Sequence, residues 1–176
     1  MLEELSKQNQ AERDSIIADI HVAFAGVVRG KHGISWKECE ALDNYESNEA
    51  CEAARRSDPD MAWSDLVEDT DWDPFPGIGG FSFINVQGFR YYLPPTMIRF
   101  LRGNNSEWFP GHLLGSISRF VDPHMCPPLW SEPQLQSIAR FIAFMARHDA
   151  ECRVFPDEPN PWTEAISKHW QAYLPR

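Results

Sequence analysis

From Ser57 to Phe89 the chain has no Lys, Arg or His, yet Asp58, Asp60, Asp65, Glu68, Asp69, Asp71 and Asp73 all fall in that stretch. Pro59, Pro74, Pro76, Gly77, Gly79 and Gly80 interrupt it as well. Like charges so close repel one another, and folding gains little from grouping them. Gly and Pro at this density punctuate loops. The stretch therefore reads as an irregular acidic loop with one helical turn near Trp63 to Val67, and the segments around it must supply the core.

Those segments carry mostly helical signals. Ile16, Ile17, Ile20, Phe24 and Val27 follow the helical period and predict a first helix from about Leu2 to Val28, broken by Gly26, Gly30 and Gly33. Ser35 and Glu38 form a capping box, and Trp36, Cys39 and Leu42 then share a face. A short helix follows over Glu46 to Arg56. Ser131 to Gln134 is a second capping box, opening a helix on which Leu135, Ile138, Ala139, Ile142, Met145 and Ala146 repeat, with Phe141 and Phe144 widening the face. A last helix is expected from Pro161 to Tyr173. Leu113 to Val121 reads equally as strand or helix.

Two segments look extended. Phe81 to Asn85 and Phe89 to Leu93 read as strands, with Gly88 in the turn between them and Pro94-Pro95 ending the second. A short helix from Thr96 to Arg102 then ends at Gly103. The expected fold is α+β, a single domain over 1–176, mostly helical with a small antiparallel β-hairpin packed on helices.

Bulk properties narrow the function. No apolar run is long enough to span a bilayer, and the acidic, polar start Met1-Leu2-Glu3-Glu4 has no signal-peptide pattern, so a cytoplasmic chain off the membrane is expected. Cys39, Cys51, Cys126 and Cys152 form no C-x-x-C pair, which points to buried thiols and to no structural zinc. A net charge of −10 disfavours nucleic acid and favours a basic protein partner. There is no G-x-S-x-G, Walker loop, G-x-G-x-x-G or H-E-x-x-H, and no cofactor is expected.

The run Gly88-Phe89-Arg90-Tyr91-Tyr92-Leu93-Pro94-Pro95-Thr96-Met97 resembles the core signature of a family of uncharacterised bacterial proteins. The resemblance takes in Ile20 to Phe24, Ile34-Ser35-Trp36, Leu42-Asp43, Asp60, Trp63 to Leu66 and Ser131 to Gln134, and so spans most of the chain in order. Pro95 stands where that pattern more often has alanine, and Glu132-Pro133 where it more often has Pro-Glu. The resemblance implies no catalytic residues. Small acidic bacterial proteins of this kind often resemble immunity proteins, which neutralise a toxin by binding it.

Within the acidic stretch two readings stand. In one, Asp65, Glu68, Asp69, Asp71 and Asp73 meet a cationic surface while Trp63 and Trp72 anchor it. In the other, the carboxylates are merely solvated, the tryptophans turn into the core, and Arg90 ties the loop down. Asp69, Asp71 and Asp73 alternate as in a calcium loop, but Pro74 and Gly80 occupy the positions an EF-hand gives to Gly and Glu, so no EF-hand forms; a weaker cation site stays open. His112, Asp122, His124 and Cys126 match no metal spacing, and His112, Asp122, His124 and Arg90 are the residues a dispersed hydrolytic site would use. His21, beside the first apolar stripe, is expected to be a buried, satisfied histidine. The function expected is that of a non-enzymatic acidic binding protein, an immunity-type inhibitor that occludes a basic surface of a toxin. The alternative is a small hydrolase-like enzyme.

Overall fold

The computed structural model describes residues 2–58, 61–74, 81–103, 110–121, 129–148 and 159–175. These form α1 (Leu2–Ala23), α2 (Trp36–Asp43), α3 (Asn48–Ser57), α4 (Val86–Leu101), α5 (Pro110–Phe120), α6 (Glu132–His148) and α7 (Pro161–Ala165). Among the described residues there is no strand, and no helix is long and apolar enough to cross a membrane. The expected α+β fold with its hairpin is therefore replaced by a helical one.

The hairpin fails at its proposed turn. Asn85 is extended and caps α4, its Oδ1 accepting the Gly88 N–H at 2.9 Å. The proposed second strand, Phe89 to Leu93, is the first half of that helix. Pro94 and Pro95 lie inside α4 instead of ending an element. Each costs the helix an N–H bond and about 3 kcal/mol or more. Burial offsets this, because Gly88, Phe89 and every residue from Tyr91 to Ile98 is buried, as are Phe100 and Leu101. A helix covered on nearly all sides shows no amphipathic period, so its apolar run is indistinguishable in sequence from a buried strand. Thr96 adds a bond from its hydroxyl to the Tyr92 carbonyl at 2.7 Å.

The chain divides into two compact units. One comprises residues 1–25, 109–115 and 121–176. In it α1 packs on α6; Ile16 and Ile20 of α1, Phe24 just beyond it, and Ile138, Phe141, Ile142 and Met145 of α6 are buried. Ion pairs Arg140–Asp19 and Arg147–Glu12 flank this packing. His21 is exposed, a correction to the expectation, since it lies about 100° around α1 from buried Ile20. Asn160 caps α7 through the Trp162 N–H at 2.9 Å and donates to the Ala146 carbonyl at 3.0 Å, joining the end of α6 to the start of α7. A π-helical turn, Ile166–Trp170, follows, and both Trp162 and Trp170 are buried.

The other unit comprises residues 26–108 and 116–120. The capping box at Ser35 forms as expected, with Ser35 Oγ accepting from Glu38 N–H and Glu38 Oε2 accepting from Ser35 N–H. Asn85 ties this start to α4, accepting from the Ile34 N–H at 3.1 Å and donating to the His32 carbonyl at 2.7 Å. The approach is close enough to demand glycine: a Cβ on Gly88 would lie 2.6 Å from the Ile34 carbonyl oxygen and 2.8 Å from Ile84 Cγ1. The exposed turn between α2 and α3 places Tyr45 at φ 56, a left-handed conformation uncommon for a bulky residue.

Gly88→Ala is expected to lower stability by about 1–3 kcal/mol, because backbone must shift to admit the methyl. Gly115→Ala, in α5 where an added Cβ meets nothing within 4 Å, is expected to raise it by about 0.5–1 kcal/mol. Urea denaturation of both variants measures the contrast.

Candidate functional site

The acidic stretch is organised from beneath by Arg99 of α4. Its Nη1 donates to the Trp72 carbonyl at 2.7 Å. Its Nη2 donates to the Leu66 carbonyl at 2.9 Å and also to that of Asp69. The guanidinium carbon lies 5.0 Å from the centre of the Trp72 ring, a cation–π arrangement. Burial lowers the Arg99 pKa from its ordinary value, and the charges of Asp73, Asp69 and Glu68 oppose that shift. A guanidinium stays protonated in any case, so a full positive charge sits inside the curve of the loop.

The carboxylates divide by position. Asp65 and Asp71 are exposed, and no ion pair is formed by either among the described residues. Asp69 turns back to accept the Asp71 N–H at 2.9 Å. Glu68 pairs with Arg102 at 2.5 Å, and that bond holds its carboxyl below the usual range. Asp73 is exposed and feels the Arg99 charge. Asp60 lies outside the described residues.

The two tryptophans do not join this surface. Trp63 is 5% exposed and Trp72 6%. Trp72 stacks on Tyr92 at 5.8 Å and meets Trp36 edge-on at 5.6 Å, within an aromatic core that also holds Phe81. Of the seven residues expected to bind a partner, the loop thus presents acids outward and keeps both aromatic anchors inside. Arg90, the expected tether, is half-buried on α4. Nine residues separate it from Arg99, which puts the two on opposite sides of the helix. Had the helix been recognised, Tyr92, Arg99 and Arg102 would have fallen on one face by their spacing of seven and three.

Beneath Asp69-Thr70-Asp71-Trp72-Asp73 lies the Arg99 guanidinium, bonded to the Asp69 and Trp72 carbonyls. Among the described residues no three His, Cys, Asp or Glu side chains converge as metal ligands. Asp122, His124, Cys126 and Cys152 lie outside the described residues, and His112 is exposed on α5. Cys39 and Cys51 are buried thiols outside any disulfide; burial pushes the Cys39 thiol up to about 11.

A second polar cluster lies at the start of α2. Buried Arg29 pairs with Asp58 at 3.4 Å. The Tyr92 hydroxyl accepts the Trp36 N–H at 2.9 Å and donates to Asp58 at 3.4 Å. Burial, then the Asp58 charge, raise the Tyr92 pKa far above its ordinary range.

With this geometry in view, comparison with known proteins gives one match. The model of a family of unknown function, DUF6714, matches residues 12–174. The chain belongs to this family. No curated protein and no solved structure matches it. The family match spans the acidic loop, Arg99 and the α2 cluster alike.

Arg99→Met is expected to cost about 2–4 kcal/mol, because three carbonyls lose their donors together. Arg102→Ala, which breaks an exposed pair, is expected to have a far smaller effect. Chemical denaturation separates them.

Cys39 and Tyr92 both hold their protons more tightly when folded. The Cys39 contribution to stability is full below pH 9.0, the ordinary thiol value, and is lost as pH rises through about 11; the Tyr92 contribution is full below pH 10.0, the ordinary phenol value, and declines above it. Denaturation midpoints from neutral to alkaline pH are expected to fall over that range, and less steeply in Tyr92→Phe.

Proposed function

We propose that the chain is a non-enzymatic acidic binding protein, an immunity-type inhibitor that acts in the cytoplasm by occluding a basic surface of a toxin. The observation that carries this reading is the placement of charge in the 65–73 loop. Its internal cation bonds main-chain oxygens, so the loop is held in shape while Asp65 and Asp71 point to solvent. A preorganised loop loses little entropy on binding. Outward carboxylates on a chain of net charge −10 steer a cationic partner and raise its association rate. With Trp63 and Trp72 in the core, the loop contributes charge and hydrogen-bond acceptors, and binding depends correspondingly on ionic strength.

The test is binding to the protein encoded by the adjacent gene, measured at low and high salt. Association is expected to slow as salt rises, and Asp65→Asn with Asp71→Asn is expected to slow it about tenfold at low salt. Absence of binding, or rates indifferent to both salt and these substitutions, overturns the reading.

A further inference from the structure

We infer that Arg29, Tyr92 and the first turn of α2 form a carboxylate-binding cradle that the chain itself fills with Asp58. Three donors, two from helices and one from the loop before α2, converge on one oxygen, Asp58 Oδ2. They are the Lys37 N–H of α2 at 3.1 Å, the Tyr92 hydroxyl of α4 at 3.4 Å and Arg29 Nη1 at 3.4 Å. The Arg29 side chain is only 8% exposed, so the cation is built into the unit. Its Nη1 also lies 3.4 Å from the Tyr92 hydroxyl oxygen, and its Nη2 donates to the Asp58 carbonyl at 3.4 Å.

The donors stand long of the 2.7–2.9 Å typical of charge-assisted bonds. A carboxylate fixed to the end of α3 by a single methylene does not settle fully into them. A carboxylate without that tether approaches each donor more closely. The site is thus complete on the protein side, with a cation, a hydroxyl and a helix N-terminal N–H, and Asp58 is its resident anion. Asp58 also opens the acidic stretch. Its hold on Arg29 fixes where that stretch leaves the α3 end, independently of whether the loop binds a basic partner.

Removing the side chain and supplying a small carboxylate tests this. Asp58→Ala and Asp58→Ser are denatured in urea with sodium formate replacing sodium chloride at constant ionic strength. Both variants are expected to show a saturable rise in midpoint with formate, as a ligand bound only by the folded state requires. Wild type, its cradle filled, is expected to show none, and adding Arg29→Met to either variant is expected to abolish the rise. If a variant is unfolded in chloride, recovery of its near-ultraviolet circular dichroism in formate is the same result. A formate response no larger than that of wild type, one that survives Arg29→Met, or failure to fold at every formate concentration overturns the inference.

Discussion

One guanidinium sets the course of the segment that most resists regular structure. Arg99 gives the carbonyls of Leu66, Asp69 and Trp72 the donors that a helix or sheet would otherwise supply. Buried main-chain oxygens need such partners. The same side chain brings a positive charge to a run of carboxylates that has none of its own, and lies against the ring of Trp72. Remove it, and the charge repulsion, the unpaired carbonyls and the docking of the Trp72 ring all become unfavourable at once.

Arg99 projects from a helix, α4, that is buried along most of its length. Its polar groups reach outward: Tyr91 to the Met61 carbonyl at 2.7 Å, Tyr92 to the start of α2, Arg99 to the acidic loop. Asn85 and Gly88 seat its first turn against the chain at Ile34. Core packing and loop geometry are therefore coupled through one element, and the aromatic cluster of Trp36, Trp72, Phe81 and Tyr92 lies where they meet.

What could be read in the sequence follows from how one-sided each element is. The helices at Ser35, Ser131 and Pro161 were legible because each has a capping signal and an apolar face. The α1 stripe was legible too, though His21 sat too near its edge to place. The helix α4 was not, since burial on nearly all sides erases periodicity and Pro94-Pro95 argues locally for an end. That error hid the site, because Arg99 and Arg102 share a face with Tyr92 only once the segment is helical. The acidic stretch was visible as composition, and the direction of each carboxylate was not. The tryptophans were the least decidable, as a hot spot and a core residue have the same side chain.

Because the hydrogen bonds from Arg99 to the 65–73 turn run to main-chain oxygens, they do not depend on which side chains stand at the exposed positions 65 and 71. Positions 65 and 71 can then be exchanged for other residues while the scaffold beneath stays as it is. Exposed side chain and supporting backbone are uncoupled there, as in loops whose sequences diversify while their backbones do not. A lineage that must keep pace with a changing opponent would have, in these few positions, room to vary without risking its fold.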